Sequence, residues 1–245
     1  MAATTIFSVA IPAYNEAQLL PRLLDSIDVA RSHYRGGAAA IEVVVGNNGS
    51  TDATAAIARD RGCTVIDIEK RAIAAARNGA ARAACGEVLC FIDADSILHP
   101  QTFNEIEQVL ATGRCVVGAS GVRMERMSVG IGLTFAVFLP ATRIFGVDTG
   151  VVFCRRDDFL AIEGYREHLI VAEDVDFMWR LKRYGRKHGA RFMRLPTARA
   201  ITSTRKFDRH GDWHYLPMMA RILIKACRAR GALHNQLWSY WYEGR

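Results

Sequence analysis

The sequence predicts an α/β protein with a mostly parallel central sheet. Three observations carry that expectation: short runs rich in Val, Ile and Phe recur along the first half of the chain, a polar loop follows each run, and each loop leads into a segment of helical apolar spacing. Strands that alternate with helices are joined by right-handed crossovers, which set neighbouring strands parallel. No internal repeat and no Pro/Gly/Ser-rich linker marks a domain boundary.

The first run, Ile6 to Ile11, reads as a buried strand, and Pro12 is expected to stop it because its ring removes the N–H that a ladder interior uses. Glu16 to Ala30 places Leu19, Leu20, Leu23, Leu24 and Ile27 on one helical face, with Pro21 near the first turns. Ile41 to Val45 is a second strand. Gly46 to Asp52 supplies turn formers and caps before a helix over Ala53 to Arg61, with Asp52 as a structural N-cap. Cys63 to Ile68 is a third strand, Ile73 to Ala84 an alanine-rich helix and Glu87 to Ile92 a fourth strand. A helix over Pro100 to Leu110 and a strand over Arg114 to Ala119 continue the pattern, which loosens from Val122 to Thr149. Val151 to Cys154 is again a strand, Asp157 to Ile162 a short helix, and Asp174 to Tyr184 a helix that Gly185 is expected to end.

The chain has 245 residues, half of them hydrophobic and 23% charged, a globular composition without low-complexity tracts. Its formal charge of +7 favours anionic partners: nucleotide phosphates, an anionic membrane face or nucleic acid. The basic residues are scattered and no nucleic-acid recognition motif accompanies them, so nucleic acid is the least favoured. Six cysteines without C-x-x-C spacing read as reduced thiols in apolar surroundings, which points to a cytoplasmic protein. The N-terminus shows no export signal, and the longest uncharged apolar stretch, Ser128 to Thr142, is shorter than the ~20 residues of a spanning helix and contains Pro140. From Leu216 the pattern is helical. Leu216 to Arg228 mixes an apolar face with Arg221, Lys225 and Arg228, and such a helix either packs on the main domain or rests peripherally on the inner face of an anionic membrane. The aromatic tail of Trp238, Tyr240, Trp241 and Tyr242 suits an acceptor, a membrane interface or another subunit.

The fourth run ends in Asp93-Ala94-Asp95. In open α/β sheets the ligand crevice lies outside the carboxyl ends of the strands. Alternation along a strand would send Asp93 and Asp95 to one side, with Ala94 leaving room for a close approach. Two carboxylates so placed suit a hard divalent cation, Mg²⁺ or Mn²⁺, whose remaining ligands come from phosphates and water. In the competing reading one Asp caps the next helix and the other is solvated.

Five motifs in order, Ser8-Val9-Ala10-Ile11-Pro12-Ala13-Tyr14-Asn15-Glu16, Val44 to Asp52, Ala76-Arg77-Asn78-Gly79, Asp93-Ala94-Asp95 and Glu173-Asp174 before an amphipathic helix, make the chain resemble the family 2 glycosyltransferases from about Phe7 to Gly185. The resemblance implies the GT-A fold, a Rossmann-like α/β/α sandwich. It also implies transfer of a sugar from a nucleotide diphosphate donor, with uridine the first choice of nucleoside, to an acceptor hydroxyl of a glycan or lipid-linked carrier. By the same resemblance Pro12, Ala13, Tyr14, Glu16, Asn48, Arg77, Asp93 and Ala94 contact the donor, with Asp93 near its ribose or a metal-bound water. Asp95 and Asp93 hold the cation, and Asp174, beside Glu173, is the catalytic base of an inverting displacement. His210 is a further candidate for the metal or diphosphate, in a segment similar to one in some bacterial members. Where the family commonly has two aspartates this chain has Asn47 and Asn48, so Asn48 meets the base through an amide oxygen without charge assistance. The implied organisation is a catalytic domain over 1–215, with a nucleotide-binding part to about 120 and an acceptor part after it, and an extension over 216–245. Val122 to Tyr165 is where acceptor selectivity is expected. Rival expectations are a retaining transferase or a nucleotidyltransferase on the same fold, or a nucleotide-sugar-binding protein without turnover.

Overall fold

The computed structural model describes residues 5–145, 148–169, 172–215 and 217, so the helix and aromatic tail expected from Leu216 onward lie almost wholly outside it. In chain order the elements are β1 (Phe7–Ala13), α1 (Leu20–His33), β2 (Ile41–Asn47), α2 (Thr54–Asp60), β3 (Thr64–Asp67), α3 (Ile73–Ala83), β4 (Val88–Phe91), β5 (Ser96–Ile97), α4 (Thr102–Ala111), β6 (Cys115–Ala119), β7 (Val122–Met124), α5 (Val129–Phe145), β8 (Val152–Arg155), α6 (Arg156–Ala161), α7 (Glu173–Arg186), β9 (Arg191–Arg194), β10 (Ala200–Thr202) and α8 (Arg205–His210). They form two compact units, one of Met1–Arg123 with Val147–Thr202, the other of Met124–Gly146 with Ser203–Arg245.

The larger unit holds a seven-stranded sheet in the order β3-β2-β1-β4-β8-β6-β9. Its pairings are parallel except those of β8, which runs antiparallel to β4 and β6. Strand alternation divides the core between the two faces. Phe7, Val9 and Ile11 of β1 pack with Leu23 and Ile27 of α1 and Phe103 and Ile106 of α4, whereas Ala10 joins Ala80 of α3 and Phe177 and Leu181 of α7. The result is an α/β/α sandwich. From β1 the chain first winds outward through β2 and β3, then returns to place β4 on the other side of β1. That reversal opens a crevice at the carboxyl ends of β1 and β4.

Three local expectations are corrected. Pro12 does not end β1, which continues to Ala13 with Pro12 opposite Gly46 of β2. The ring is tolerated because β4 pairs with β1 only as far as Ala10, leaving that edge of Pro12 without a strand to serve. Gly185 does not end α7, which runs on to Arg186; a Cβ at Gly185 would lie 2.5 Å from the Val116 side chain, so the glycine lets α7 close onto β6. The loosened stretch after Val122 contains a helix, α5, whose residues carry almost no polar spacing by which to read a period.

Gly46 shows how tightly the layers meet. A Cβ there would sit 2.3 Å from the Ala76 carbonyl oxygen, so α3 rests directly on the β2 backbone. Gly46→Ala is expected to destabilise the protein by about 3 kcal/mol, because backbone rather than a flexible side chain has to yield. A shifted urea midpoint with unchanged slope would register it. Cys90, Cys115 and Cys154 are buried as free thiols, Cys63 is half-buried and Cys85 is exposed. Among the described residues no helix is long and apolar enough to cross a membrane.

Candidate active site

Strand β4 stops at Phe91, although Ile92 still donates its N–H to Ala10. Asp93, Ala94 and Asp95 therefore lie in the turn between β4 and β5, closed by the Ser96 N–H on the Asp93 carbonyl at 3.1 Å, and not on a continuing strand. The turn, rather than strand alternation, aims the two carboxylates. Ala94 is buried, Asp95 is half-buried and the Asp93 side chain is 51% exposed.

Arg77, on α3, faces this turn. Its side chain is 5% exposed, and one guanidinium gathers three acids from distant parts of the chain. Nη2 donates to Asp93 Oδ1 at 2.8 Å, while Nη1 donates to Asp174 Oδ1 at 2.6 Å and to Glu173 Oε1 at 3.0 Å. The guanidinium also lies 5.3 Å from the Tyr165 ring centroid. Tyr165 in turn stacks on Phe177 at 3.9 Å and meets the edge of Phe91 at 5.1 Å. The two expected acidic motifs are thereby joined through a single cation.

Glu173 and Asp174 open α7, where acidic side chains in the first turn complement the helix dipole. Ala172, just before them, has φ 62°, a left-handed conformation that costs an alanine roughly 1–2 kcal/mol. Burial raises the Asp174 carboxyl to about 7; Arg77 opposes that rise, and the neighbouring Glu173 and Asp93 charges add to it. A carboxyl poised near neutrality, with 26% of its side chain still exposed, can accept a proton from a group that reaches it from solvent.

Asn78 builds the floor. Its amide oxygen accepts the Tyr165 N–H at 2.8 Å and its amide nitrogen donates to the Tyr165 carbonyl at 2.8 Å and to Glu167 Oε1 at 3.0 Å. Asn78 thereby clamps the segment that carries Tyr165.

The loops that follow β1 and β2 are tied to each other. Tyr14 is half-buried, with the Arg71 guanidinium 4.9 Å from its ring centroid. Glu16 is buried; its N–H donates to Thr54 Oγ1 and its carbonyl accepts the N–H groups of Leu19 and Leu20 that lead into α1. Asp52 receives the N–H groups of Thr54 and Ala17, so the second loop fastens the first. The asparagines that replace the common aspartates act as donors. Asn47 donates to Asp67 Oδ1 at 2.6 Å, and Asn48 donates to the carbonyls of Lys70 at 2.7 Å and Ile68 at 3.4 Å. A carboxylate could make none of these bonds. Asn48→Asp is accordingly expected to destabilise the protein by about 2 kcal/mol, by facing a carboxylate towards two carbonyls; chemical denaturation would measure it. Among the described residues the Asn48 amide oxygen has no partner, which leaves it available to a ligand N–H.

Asp93 and Asp95 form an oxygen donor set of the kind a hard divalent cation takes, with one Asp93 oxygen engaged by Arg77. Among the described residues no group of three or more His, Cys, Asp or Glu is gathered so as to hold a metal ion. The residues fit a cation that takes its remaining ligands from a diphosphate and water. His210 lies in the second unit, on α8, with its ring 5.4 Å from that of His214. Tyr165, Arg71 and Asp67 escaped the sequence reading. Only the packing of its ring beside the buried Arg77 guanidinium, which needs the folded chain, identifies Tyr165.

Residues 8–133, just over half of the chain, match the family described as glycosyl transferase family 2. The chain is 28% identical over 186 residues to glycosyltransferase AglE of Haloferax volcanii, an alignment covering 69% of this chain and 58% of that protein, so the chain spans well under two thirds of that curated relative. Among solved structures, the mannosyltransferase PcManGT of Pyrobaculum calidifontis, in complex with GDP-Man and Mn²⁺, matches with a TM-score of 0.69 at 22% identity over 96% of this chain and 70% of that one. Residues 1–349 of S. aureus TarS, in complex with UDP-GlcNAc, match with a TM-score of 0.63 at 21% identity over 82% of this chain and 59% of that one. These structural likenesses show the fold, which is GT-A.

Proposed function

Because the chain belongs to glycosyl transferase family 2, we propose that it is a metal-dependent, inverting glycosyltransferase that moves a sugar from a nucleotide diphosphate donor, uridine-linked as first choice, to an acceptor hydroxyl of a glycan or lipid-linked carrier. The observation that carries this reading is the Arg77 knot. One guanidinium within hydrogen-bonding reach of both Asp93 and Asp174 puts a carboxylate suited to the diphosphate end of a donor a few ångströms from a carboxylate suited to deprotonate an acceptor.

In this reading Pro12, Ala13, Tyr14 and Glu16 line the nucleoside, and the Asn48 amide oxygen accepts a base N–H. Asp95 and Asp93 hold Mg²⁺ or Mn²⁺, which when bound supplies Lewis-acid stabilisation of the charge on the departing diphosphate. Asp174 takes the proton of the acceptor hydroxyl as its oxygen bonds to the anomeric carbon, and the bond from that carbon to the diphosphate oxygen breaks on the opposite face. Glu173 and Arg77 keep Asp174 in place. Residues 1–120 form the donor side and 121–215 the acceptor side, with Val122 to Tyr165 selecting the acceptor.

Asp174 works only when ionised, so kcat/KM is expected to fall as pH drops through about 7, with the slope of one proton. Arg77 holds that value down, so Arg77→Lys, with a poorer fit to the three acids, is expected to move the limb to higher pH. A pH–rate profile of the two proteins checks both.

Thermal unfolding with a panel of nucleotide sugars, with and without Mg²⁺ or Mn²⁺, tests the proposal. A ligand at one hundred times its Kd adds about 2.7 kcal/mol to native stability, a shift of a few degrees. Stabilisation by a nucleotide sugar that depends on the cation is expected; no shift with any donor or nucleoside diphosphate would count against the function.

A further inference from the structure

The two carboxylate oxygens of Glu167 are engaged from two different parts of the chain. Oε1 accepts a side-chain N–H of Asn78, on α3, at 3.0 Å, and Oε2 accepts from Lys70 Nζ, in the loop between β3 and α3, at 3.1 Å. Arg82 Nη1 adds a looser contact at 3.8 Å. The Asn78 hydrogen bond, with that of Lys70 behind it, holds the Glu167 carboxyl below the usual carboxylate range, so the group is ionised at neutral pH.

Each end of the Lys70–Glu167 pair leads to a different side of the site. The Lys70 carbonyl accepts the Asn48 amide at 2.7 Å, and the guanidinium of the next residue, Arg71, lies 4.9 Å from the Tyr14 ring centroid. Two positions before Glu167 stands Tyr165, clamped by Asn78 at both its N–H and its carbonyl. Its ring is 5.3 Å from the Arg77 guanidinium, which in turn holds Asp93 and Asp174. One ion pair thus joins the residues assigned to the nucleoside to the cation that sets the proposed base. As a contribution to folding the pair is minor, since Lys70 is 57% exposed and Glu167 27%, and water screens a pair so open.

What the pair supplies is placement. Moving a catalytic group by about 1 Å can cost on the order of 10²-fold in rate, and the nucleoside loop and the Arg77 knot are built from distant stretches that have to keep one separation. We propose that Glu167 is a positioning residue for sugar transfer: paired with Lys70, it fixes the segment that carries Tyr165, and through it Arg77 and Asp174, relative to the loop that receives the nucleoside. The inference rests on the glycosyltransferase reading.

Glu167→Gln, Lys70→Met and the double variant of the full chain test it. Glutamine keeps an oxygen for Asn78 and gives up the charge that Lys70 meets. Each single variant is expected to lower kcat by roughly tenfold while the donor KM stays within about twofold of the wild type, because Asn48 still holds the loop by its backbone. The double variant is expected to lose no more than either single one, as for two residues that act through one contact, and Lys70→Arg to stay near the wild type. In Glu167→Gln the acid limb of the pH–rate profile is expected to move to higher pH, as Arg77 loosens its hold on Asp174. Loss of the Glu167 charge acting through space would move it to lower pH, and lower stability alone would not move it. NMR titration of the Asp174 carboxyl carbon, assigned with Asp174→Asn, reads the same displacement without donor or turnover, so failure of this inference is distinguished from failure of the glycosyltransferase reading. An Asp174 titration that stays in place or moves to lower pH, losses that multiply in the double variant, or a fall in urea midpoint that accounts for the lost activity would overturn the proposal.

Discussion

Asp174→Asn is expected to reduce sugar transfer by roughly 10²–10⁴-fold while leaving donor affinity nearly unchanged. The amide is isosteric, and its oxygen can still accept from Arg77 Nη1, so the 2.6 Å contact and the start of α7 survive the change. What is lost is the capacity to take a proton. Nucleoside diphosphate release, followed in parallel with calorimetric donor binding, separates the two effects. A folded variant that no longer binds donor would move Asp174 from the acceptor side to the donor side.

Arg77→Met is expected to be the most destabilising change near the site. It leaves Asp93, Glu173 and Asp174 crowded without their shared cation, and removing one partner of a buried ion pair typically costs about 3–5 kcal/mol. The sign of its pH dependence follows from the acids left behind. At pH 8 their mutual repulsion is full, and at pH 5 protonation of the carboxyl already raised to about 7 relieves part of it, so the loss in stability is expected to shrink on acidification. Urea unfolding of both proteins at the two pH values measures this. An equal loss at each would mean that Arg77 acts by packing on Tyr165 alone.

Much of this architecture was legible in the sequence because it is periodic. The branched and aromatic runs of β1, β2 and β4 and the leucine face of α1 announce themselves at spacings fixed by strand and helix geometry. Helix α5 is not legible that way, because a segment without charge has no polar face to set the period. The two-residue β5 and three-residue β10 are too short to leave a pattern.

The site divides along the same line. Asp93-Ala94-Asp95 and Glu173-Asp174 stand out as motifs, but their union through Arg77 joins residues 16, 96 and 97 positions apart and exists only in the folded chain. Asn47 and Asn48 look like weakened acids in the sequence. In the structure Asp67 and the Ile68 and Lys70 carbonyls, supplied by and just after β3, make them the residues that can donate where a carboxylate cannot.

Product stereochemistry tests the central claim most directly. Donor consumption by the full chain with Mg²⁺ can be followed by NMR, with water or an accepted hydroxyl as nucleophile, before the free sugar equilibrates. Release of nucleoside diphosphate together with a first-formed sugar of inverted anomeric configuration is the expected result. Retained configuration, or release of pyrophosphate instead, would contradict in-line displacement with Asp174 as base.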